Sequence, residues 1–231
     1  MEKMLVGDNV WPEERAFLME LLANREAALL WDFTKIGRVR PEVAPPQQIQ
    51  TIPHIAWQAA SFAIPRALTG KVVEMLREQL KNGVLEPCHS PYQNPWFLVK
   101  KKGVDKYQMV NAAMSINKVT IWDANLPPAV NKFSKEFAGI AVASLIDFFS
   151  GYNQVALAEE CWDLTAFQTP IGLLCQTTLP QGAINLVAQF VQIVTKILEE
   201  HISACCRLFL DNIGVKGPKT TYGDVEILPG I

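Results

Sequence analysis

The sequence predicts an α+β fold, because patterns typical of helices alternate with short apolar runs typical of strands. Apolar residues recur at helical spacing in Pro12–Trp31, Ala67–Lys81 and Ala183–His201. Apolar runs at Trp96–Val99 and Gly139–Phe149 have the composition of strands. With 231 residues, 49% of them hydrophobic, the chain can bury a sizeable core in one large domain or two small lobes.

The first third of the chain predicts two helices joined by an extended connector. Pro12–Trp31 has acidic residues early and an apolar face, as an amphipathic helix does. Arg40–Pro53 is rich in proline and cannot sustain a helix or a central strand. A second helix is predicted over Ala67–Lys81, with Asn82-Gly83 as its end. We therefore divide the chain into a helical segment, 1–37, an extended proline-rich leader, 38–66, and a main domain, 67–231.

Two strands are predicted after the second helix. Trp96–Val99 is a short apolar strand that runs into Lys100, Lys101 and Lys102, which form either a solvated strand end or a phosphate contact. In the following segment Tyr107, Met109, Val119 and Ile121 alternate with polar residues, which predicts a partner strand.

The run Gly139–Phe149 predicts a buried central strand that delivers Asp147 at its end. A carboxylate there is costly to desolvate unless a cation meets it, and a divalent metal is the strongest such partner. The alternative is an aspartate that begins a turn.

Ala183–His201 gives the clearest helical pattern, and "TTLPQG" precedes it. Gln181 would then lie just before a helix start, where backbone N–H groups point outward and could hold a phosphate or a sugar.

The stretch "RLFLDNIGVKG" has two readings. Asp211-Asn212 can form a two-residue hairpin turn, since both residues tolerate positive φ. Asp211 can also join Asp147 in a two-metal site for phosphoryl transfer. The two readings are compatible.

Composition excludes several classes of protein. The net charge of −2 does not indicate a polyanion partner, but it does not exclude nucleic-acid contact through local basic patches. Five cysteines form neither an even disulfide framework nor paired CxxC metal motifs. Cys88-His89 lacks a second ligand pair for zinc. Because we find no signal sequence and no apolar run long enough to cross a bilayer, we expect an unsecreted, intracellular protein of the cytoplasm or nucleus, without a membrane partner.

From about Lys71 onward the chain resembles the reverse transcriptase of gypsy-type long-terminal-repeat retrotransposons, closest to the fungal branch. The motifs occur in the family's order: "GVLEPCHSPYQNPWFLVKKKG", "NKVTI", "ASLIDFFSGYNQV", "TAFQTPIGL", "LPQGA" and "FLDN". "EVAPPQQIQTIPHIAW" is similar to the leader of that branch. The resemblance implies the fingers and palm of a right-hand polymerase, with a mixed or antiparallel sheet packed by helices.

The resemblance also implies roles for individual residues. Asp147 and Asp211 match the acids that bind two divalent ions, Mg²⁺ or Mn²⁺, and Asn212 takes the place of a third acid. Tyr152 matches the aromatic residue that rejects a ribose 2′-hydroxyl, and Gln181 matches the residue beside the incoming sugar. Lys101 matches a lysine that meets the triphosphate, and Gln108 takes the place of a triphosphate-binding arginine.

Asn212 and Gln108 depart from the family pattern, and together with the matching residues they lead to two expectations for function. One is an RNA-directed DNA polymerase fragment, weak or inactive, that takes an RNA or DNA template-primer and dNTPs. The other is a non-catalytic relic or a nucleic-acid-binding protein reused by its host. The resemblance covers the fingers and palm of the polymerase but not its thumb. We therefore expect the apolar palm surface that a thumb would cover to be exposed and to mediate self-association.

Several departures share one pattern. Gln108, Trp162 and Cys175 stand where relatives tend to have arginine, and Asn153 and Asn212 where they tend to have aspartate. One C-to-T or G-to-A transition accounts for each, which predicts a degenerate copy. The hypothesis fails if the gene requires transversions at most of these positions.

Overall fold

A computed structural model describes residues 11–30, 35–100, 107–124, 130–141 and 143–217. The described helices are α1 (Pro12–Asn24), α2 (Thr69–Lys81), α3 (Met114–Val119), α4 (Val130–Glu136) and α5 (Leu186–Ile197). The described strands are β1 (Leu85–Pro87), β2 (Trp96–Lys100), β3 (Tyr107–Asn111), β4 (Ala143–Asp147), β5 (Phe167–Thr169), β6 (Gly172–Gln176), β7 (Cys206–Phe209) and β8 (Asn212–Lys216). The described chain combines helices with sheets whose strands all pair antiparallel, so the α+β prediction is confirmed.

The described strands form three antiparallel sheets. Their orders are β1-β6-β5, β2-β3 and β4-β8-β7. The third sheet pairs strands from two distant parts of the sequence, since β4 comes before β5 and β6, whereas β7 and β8 follow α5. That pairing brings the two acid-bearing segments together.

The N-terminal helix is shorter than predicted and does not contribute to the core. Helix α1 ends at Asn24, and none of its residues is buried. A 3-10 turn, Glu26–Ala28, follows it, and Trp31 lies outside the described residues. The amphipathic pattern of Pro12–Trp31 therefore has no buried counterpart among the described residues.

The leader is extended, as predicted, but it is bound to the main domain. Residues 36–65 are all described and form no helix. Gln47 forms a β-bridge with Leu157, and Thr51 forms one with Thr120. Backbone hydrogen bonds to Ala156 and Val119 accompany these bridges. The leader thus packs along the domain that follows it.

Helix α2 anchors the first half of the domain. Val72 and Leu76 are buried on its inner face and pack with Trp96 of β2. The helix ends at Lys81, and Gly83 adopts a φ of 63°, which a residue without a Cβ adopts at little cost. This confirms the predicted end at Asn82-Gly83.

The predicted second strand is wrong over its second half. Strand β3 pairs with β2 but ends at Asn111, and helix α3 carries Val119 at its end. Ile116 of α3 is fully buried, so helical packing decides the conformation there over the alternation of polar and apolar residues.

Helix α5 covers one face of the third sheet. Its buried residues Phe190 and Val194 pack with Leu208 of β7 and Ile213 of β8. It begins at Leu186, three residues later than the predicted Ala183. No helix in the described part of the chain, α5 included, is long and apolar enough to cross a membrane.

The strand that carries Asp147 is not the buried central strand that its composition predicts. Strand β4 lies at the edge of its sheet, and all five of its residues are exposed. Leu145 and Ile146 keep 70% and 51% of their surface accessible. An apolar run alone does not distinguish an edge strand from a central one, because burial depends on which elements cover it.

Candidate active site

Antiparallel pairing of β4 with β8 places Asp147 directly opposite Asn212. Asp211 is the residue before Asn212, and its carbonyl oxygen accepts a hydrogen bond of 3.2 Å from the backbone N–H of Phe148. The residue after Asp147 is therefore hydrogen-bonded to the backbone of Asp211. The fold brings together the two acids that sequence reasoning selected.

The hairpin turn lies one residue earlier than predicted. Phe209 pairs with Asn212, which leaves Leu210 and Asp211 as the two turn residues. Leu210 adopts a φ of 57°, a conformation that costs a residue with a Cβ roughly 1–2 kcal/mol. Asn212 belongs to β8, so the Asp-Asn pair is half turn and half strand.

The side chains of the pair also interact. Asn212 Nδ2 lies 3.3 Å from Asp211 Oδ1 and donates to it. An aspartate at position 212 could not donate this bond. The amide consequently occupies one carboxylate oxygen of its neighbour, where a third acid would instead add negative charge.

Tyr152 lies in the 3-10 turn Gly151–Gln154, which follows β4 in the chain. Its ring is 4.9 Å from the ring of Phe190 between centroids. Burial raises the pKa of the Tyr152 phenol, and the negative charge of Asp211 raises it further. Tyr152 is thus close enough to Asp211 for the charge of that carboxylate to affect its phenol.

Gly151 allows this close packing. A Cβ at this position would lie 2.8 Å from Cζ of Phe190 and 2.9 Å from Cβ of Phe148. Such distances require a neighbour to shift, so a larger residue here would displace the Tyr152 turn.

The two glutamines selected from sequence contact each other. Gln108 Nε2, on β3, donates a hydrogen bond of 2.8 Å to Gln181 Oε1, which lies before α5. The chain therefore brings together side chains that are 73 residues apart. Lys101 lies outside the described residues.

The hairpin that carries Asp211 is supported by α4 through contacts that sequence reasoning missed. Arg207 of β7 forms a two-pronged pair with Glu136, with both N–O distances at 2.5 Å. Lys216 of β8 lies 3.6 Å from the same carboxylate. The ring of Phe133 lies 5.2 Å from that of Phe209. Both strands of the hairpin are thus tied to one helix.

Gly214 is the residue from which the sequence could have indicated the contact between β8 and the α4 segment. A Cβ at Gly214 would lie 2.6 Å from Cζ of Phe137 and 3.0 Å from Cζ of Phe133. An isolated glycine inside a strand indicates close approach of another group, and "NIGVK" contains one. The pattern indicates that something approaches closely but does not identify α4.

The donor set suits a hard divalent cation but is small. Carboxylate oxygens are preferred ligands of Mg²⁺, which is commonly held by one or two carboxylates together with substrate phosphates. Asp147 and Asp211 supply two such groups. Within the described ranges no cluster of three or more His, Cys, Asp or Glu residues could hold a metal, and this includes Cys88-His89.

Comparisons with known proteins identify relatives of the chain. The chain is 31% identical over 195 residues to the retrovirus-related Pol polyprotein from transposon opus of Drosophila melanogaster, which covers 80% of this chain and 19% of the polyprotein. It is 29% identical over 143 residues to the corresponding polyprotein from transposon gypsy of the same organism, covering 60% and 14%. No protein-family model matches the chain.

Solved structures show the same fold. A crystal structure of Prototype Foamy Virus protease-reverse transcriptase matches with a TM-score of 0.81 at 20% identity, covering 91% of this chain and 28% of that one. A foamy viral protease-reverse transcriptase in complex with an RNA/DNA hybrid matches with a TM-score of 0.76 at 22% identity, covering 93% and 28%. The chain belongs with the Pol polyproteins of retrotransposons and has the fold of a reverse transcriptase.

The chain spans only 14% to 19% of the length of three of these polyproteins, those from the Drosophila melanogaster transposons opus, 297 and gypsy. The family assignment confirms the resemblance read from the motifs, and the foamy virus structures confirm its fold. Membership in the fungal branch stays a prediction, as do the domain boundaries 1–37, 38–66 and 67–231.

Proposed function

We propose that this chain performs template-directed nucleotidyl transfer, as an RNA-directed DNA polymerase whose rate is limited by an incomplete metal site. One observation carries the proposal. The β4–β8 register sets Asp147 opposite Asn212, and Asp211 lies in the adjoining turn. One carboxylate at the end of β4 and one in the adjoining turn would then serve the same pair of ions, as two-metal phosphoryl transfer requires.

Asp147 and Asp211 are the residues that would hold two Mg²⁺ or Mn²⁺ ions. When bound, such ions neutralise charge on a triphosphate and stabilise the attacking and leaving oxygens. The exposure of Asp147 leaves its carboxylate accessible to ions and substrate. In this proposal, Asp147 would hold a divalent cation at the end of β4.

Asn212 weakens this site through charge. Replacing a carboxylate by a neutral amide removes an attraction of roughly 4 kcal/mol per unit-charge pair at an effective dielectric near 20. An amide oxygen still coordinates a hard cation, which offsets part of the loss. At 1.36 kcal/mol per tenfold in rate, we expect a rate lower by roughly two powers of ten.

The nucleotide would bind on the side of Tyr152, Gln108 and Gln181. Tyr152 would exclude a ribose 2′-hydroxyl, since packing against Phe190 fixes its ring. Gln181 would lie beside the sugar, and Gln108 would contact the triphosphate without the charge of an arginine. Lys101 is proposed as a further triphosphate contact on the basis of its motif.

The partners that we propose are an RNA or DNA template-primer and dNTPs. The foamy viral relatives have been solved with an RNA/DNA hybrid and with double-stranded DNA, which supports a nucleic-acid partner. Self-association through exposed β4 is a further proposal, supported by the accessible Leu145 and Ile146. A single monomer peak in size-exclusion chromatography at high concentration would contradict it.

Primer extension on an RNA template tests the function. The wild-type chain is compared with Asn212→Asp and Asp211→Ala, in Mg²⁺ and then in Mn²⁺. We expect slow extension by the wild type, faster extension by Asn212→Asp and none by Asp211→Ala. Asp163→Asn removes an exposed carboxylate elsewhere and serves as a control with the wild-type rate.

The non-catalytic alternative is a distinct outcome of the same experiment. If neither the wild type nor Asn212→Asp extends a primer while both are folded, the polymerase proposal is wrong. Fluorescence anisotropy with a labelled primer-template then decides whether the chain binds nucleic acid without chemistry.

A further inference from the structure

Arg38, in the leader, joins three separate parts of the main domain. Its Nη1 donates a hydrogen bond of 2.9 Å to the carbonyl oxygen of Asn153. Its Nη2 donates to the carbonyl oxygen of Gly83 and, at 3.2 Å, to Oγ1 of Thr177. One guanidinium therefore links the end of α2, the turn after β4 and the segment after β6.

The first of these parts carries Tyr152. Asn153 is the next residue in the 3-10 turn Gly151–Gln154, so the bond from Arg38 holds the backbone of that turn. The backbone N–H of Val39 adds a hydrogen bond of 2.7 Å to the carbonyl oxygen of Gln154. Arg38 and Val39 thus form hydrogen bonds with two consecutive residues of the turn.

The turn needs an external support because its own conformation is strained. Ser150, at its start, adopts a φ of 51°, in the left-handed region that residues with a Cβ rarely occupy. Asn153 Nδ2 donates to Ser150 Oγ at 2.8 Å, and Asn153 Oδ1 accepts from Thr178 Oγ1 at 3.3 Å. Fixing Asn153 therefore fixes the entire turn.

The second part leads to Gln181. Thr177 lies four residues before Gln181, in a segment where Thr177 and Thr178 are both buried. Thr177 Oγ1 donates a 2.5 Å hydrogen bond to the Gly83 carbonyl oxygen, which also accepts from Arg38. Arg38 and Thr177 therefore donate to the same carbonyl oxygen, and these bonds connect the segment that contains Thr177 to the end of α2.

We infer that Arg38 is a positioning residue for nucleotide selection, because it holds the Tyr152 turn and the segment that leads to Gln181 in one fixed arrangement. The inference rests on the proposed function for its consequence, since Tyr152 and Gln181 are the proposed sugar contacts. The leader, predicted from sequence as a separate extended segment, thereby becomes part of the polymerase site.

An arginine suits this position better than other residues. Its planar guanidinium presents five N–H donors in a fixed fork, which allows one side chain to reach three acceptors at once. A glutamine side chain is shorter and uncharged and cannot span the same acceptors. Arg38→Gln should therefore release the turn while it preserves a polar, soluble side chain.

The position of Tyr152 can be measured without any activity. Tyrosines are replaced by 3-fluorotyrosine, and the resonance of Tyr152 is assigned by its absence in Tyr152→Phe. In the wild type, burial and the charge of Asp211 raise the pKa of the Tyr152 phenol. In Arg38→Gln and Arg38→Ala, we expect this pKa to fall toward the ordinary tyrosine value, because the ring gains water and moves away from Asp211.

Two comparisons control the titration. Arg40→Ala removes an exposed arginine two residues away and should leave the Tyr152 titration unchanged. Tyr92, which is hydrogen-bonded to His54, serves as an internal reference in every variant. If Arg38→Ala does not fold, Arg38→Gln decides. A Tyr152 titration identical to the wild type in a folded Arg38→Gln protein would overturn the inference.

Nucleotide selection provides the second readout. In the Asn212→Asp background, Arg38→Gln should lower the preference for dNTP over the matching rNTP by about fivefold, the effect of one lost hydrogen bond. An unchanged preference would contradict the inference. If no variant incorporates either nucleotide, the proposed function is wrong, and the fluorine titration alone judges whether Arg38 positions Tyr152.

Discussion

Gln108 donates a hydrogen bond of 2.8 Å to Gln181, so the two glutamines on the proposed nucleotide side of the site satisfy each other. A nucleotide that used both side chains would have to break this bond. The bond is neutral, and neutral hydrogen bonds are weaker than those of a charged guanidinium to a phosphate. This contact therefore offers a direct way to change nucleotide affinity.

We predict that Gln108→Arg tightens dNTP binding by about tenfold, because a guanidinium adds a charge-assisted hydrogen bond to the triphosphate. The measurement is the KM for dNTP in primer extension, performed in the Asn212→Asp background. Gln58→Arg introduces the same charge at an exposed leader position and is the matched control. A KM that falls equally in both variants would show a general charge effect and contradict a specific contact.

Gly214→Ala should destabilise the protein by about 1–3 kcal/mol, because an added Cβ would overlap the ring of Phe137. The free energy of unfolding in urea measures this effect. Gly70→Ala is the control, since a Cβ on α2 at Gly70 meets nothing within 4 Å. The control should be neutral or stabilising by up to about 1 kcal/mol. Equal stability of Gly214→Ala and the wild type would contradict the packing of α4 against β8.

The Glu136–Arg207 pair predicts an acid-dependent loss of stability. Hydrogen bonds from Arg207 lower the pKa of Glu136 in the folded protein; burial opposes this shift, while the charges of Arg207 and Lys216 add to it. A carboxyl group with a lowered folded pKa stabilises the protein above its unfolded pKa, about 4.3, and this stabilisation is lost as the pH falls through the folded pKa.

The Tm of the wild type should therefore exceed that of Glu136→Gln at pH 6 to 7, and the difference should shrink below about pH 4.3. Glu20→Gln, at an exposed position on α1, should track the wild type across the range. A Tm difference between the wild type and Glu136→Gln that does not change with pH would mean that charge is not the basis of the pair.

The sequence could single out the acids and their neighbours because each lies inside a short local motif. Asp147 ends an apolar run, Gln181 precedes a helix, and Asp211 lies in a hairpin, and the fold brings Asp147 and Asp211 together. Local patterns carry this information because turns and strand ends have their own residue preferences.

What the sequence could not predict depends on contacts between distant segments. The exposure of β4 depends on which elements cover the strand, and periodicity does not report this. Arg38 contacts residues 45, 115 and 139 positions away, and no local pattern indicates such partners. The helix at Met114–Val119 similarly forms because Ile116 packs into the interior.

The central claim is that Asp147 and Asp211 form one divalent metal site, weakened by Asn212. Electron paramagnetic resonance can measure Mn²⁺ binding directly, in the presence of a chain-terminated primer-template and the next dNTP. We predict measurable binding by the wild type, tighter binding by Asn212→Asp, and loss of binding in Asp147→Asn and in Asp211→Asn. Mn²⁺ binding that is the same in the wild type, Asp147→Asn and Asp211→Asn would contradict the account.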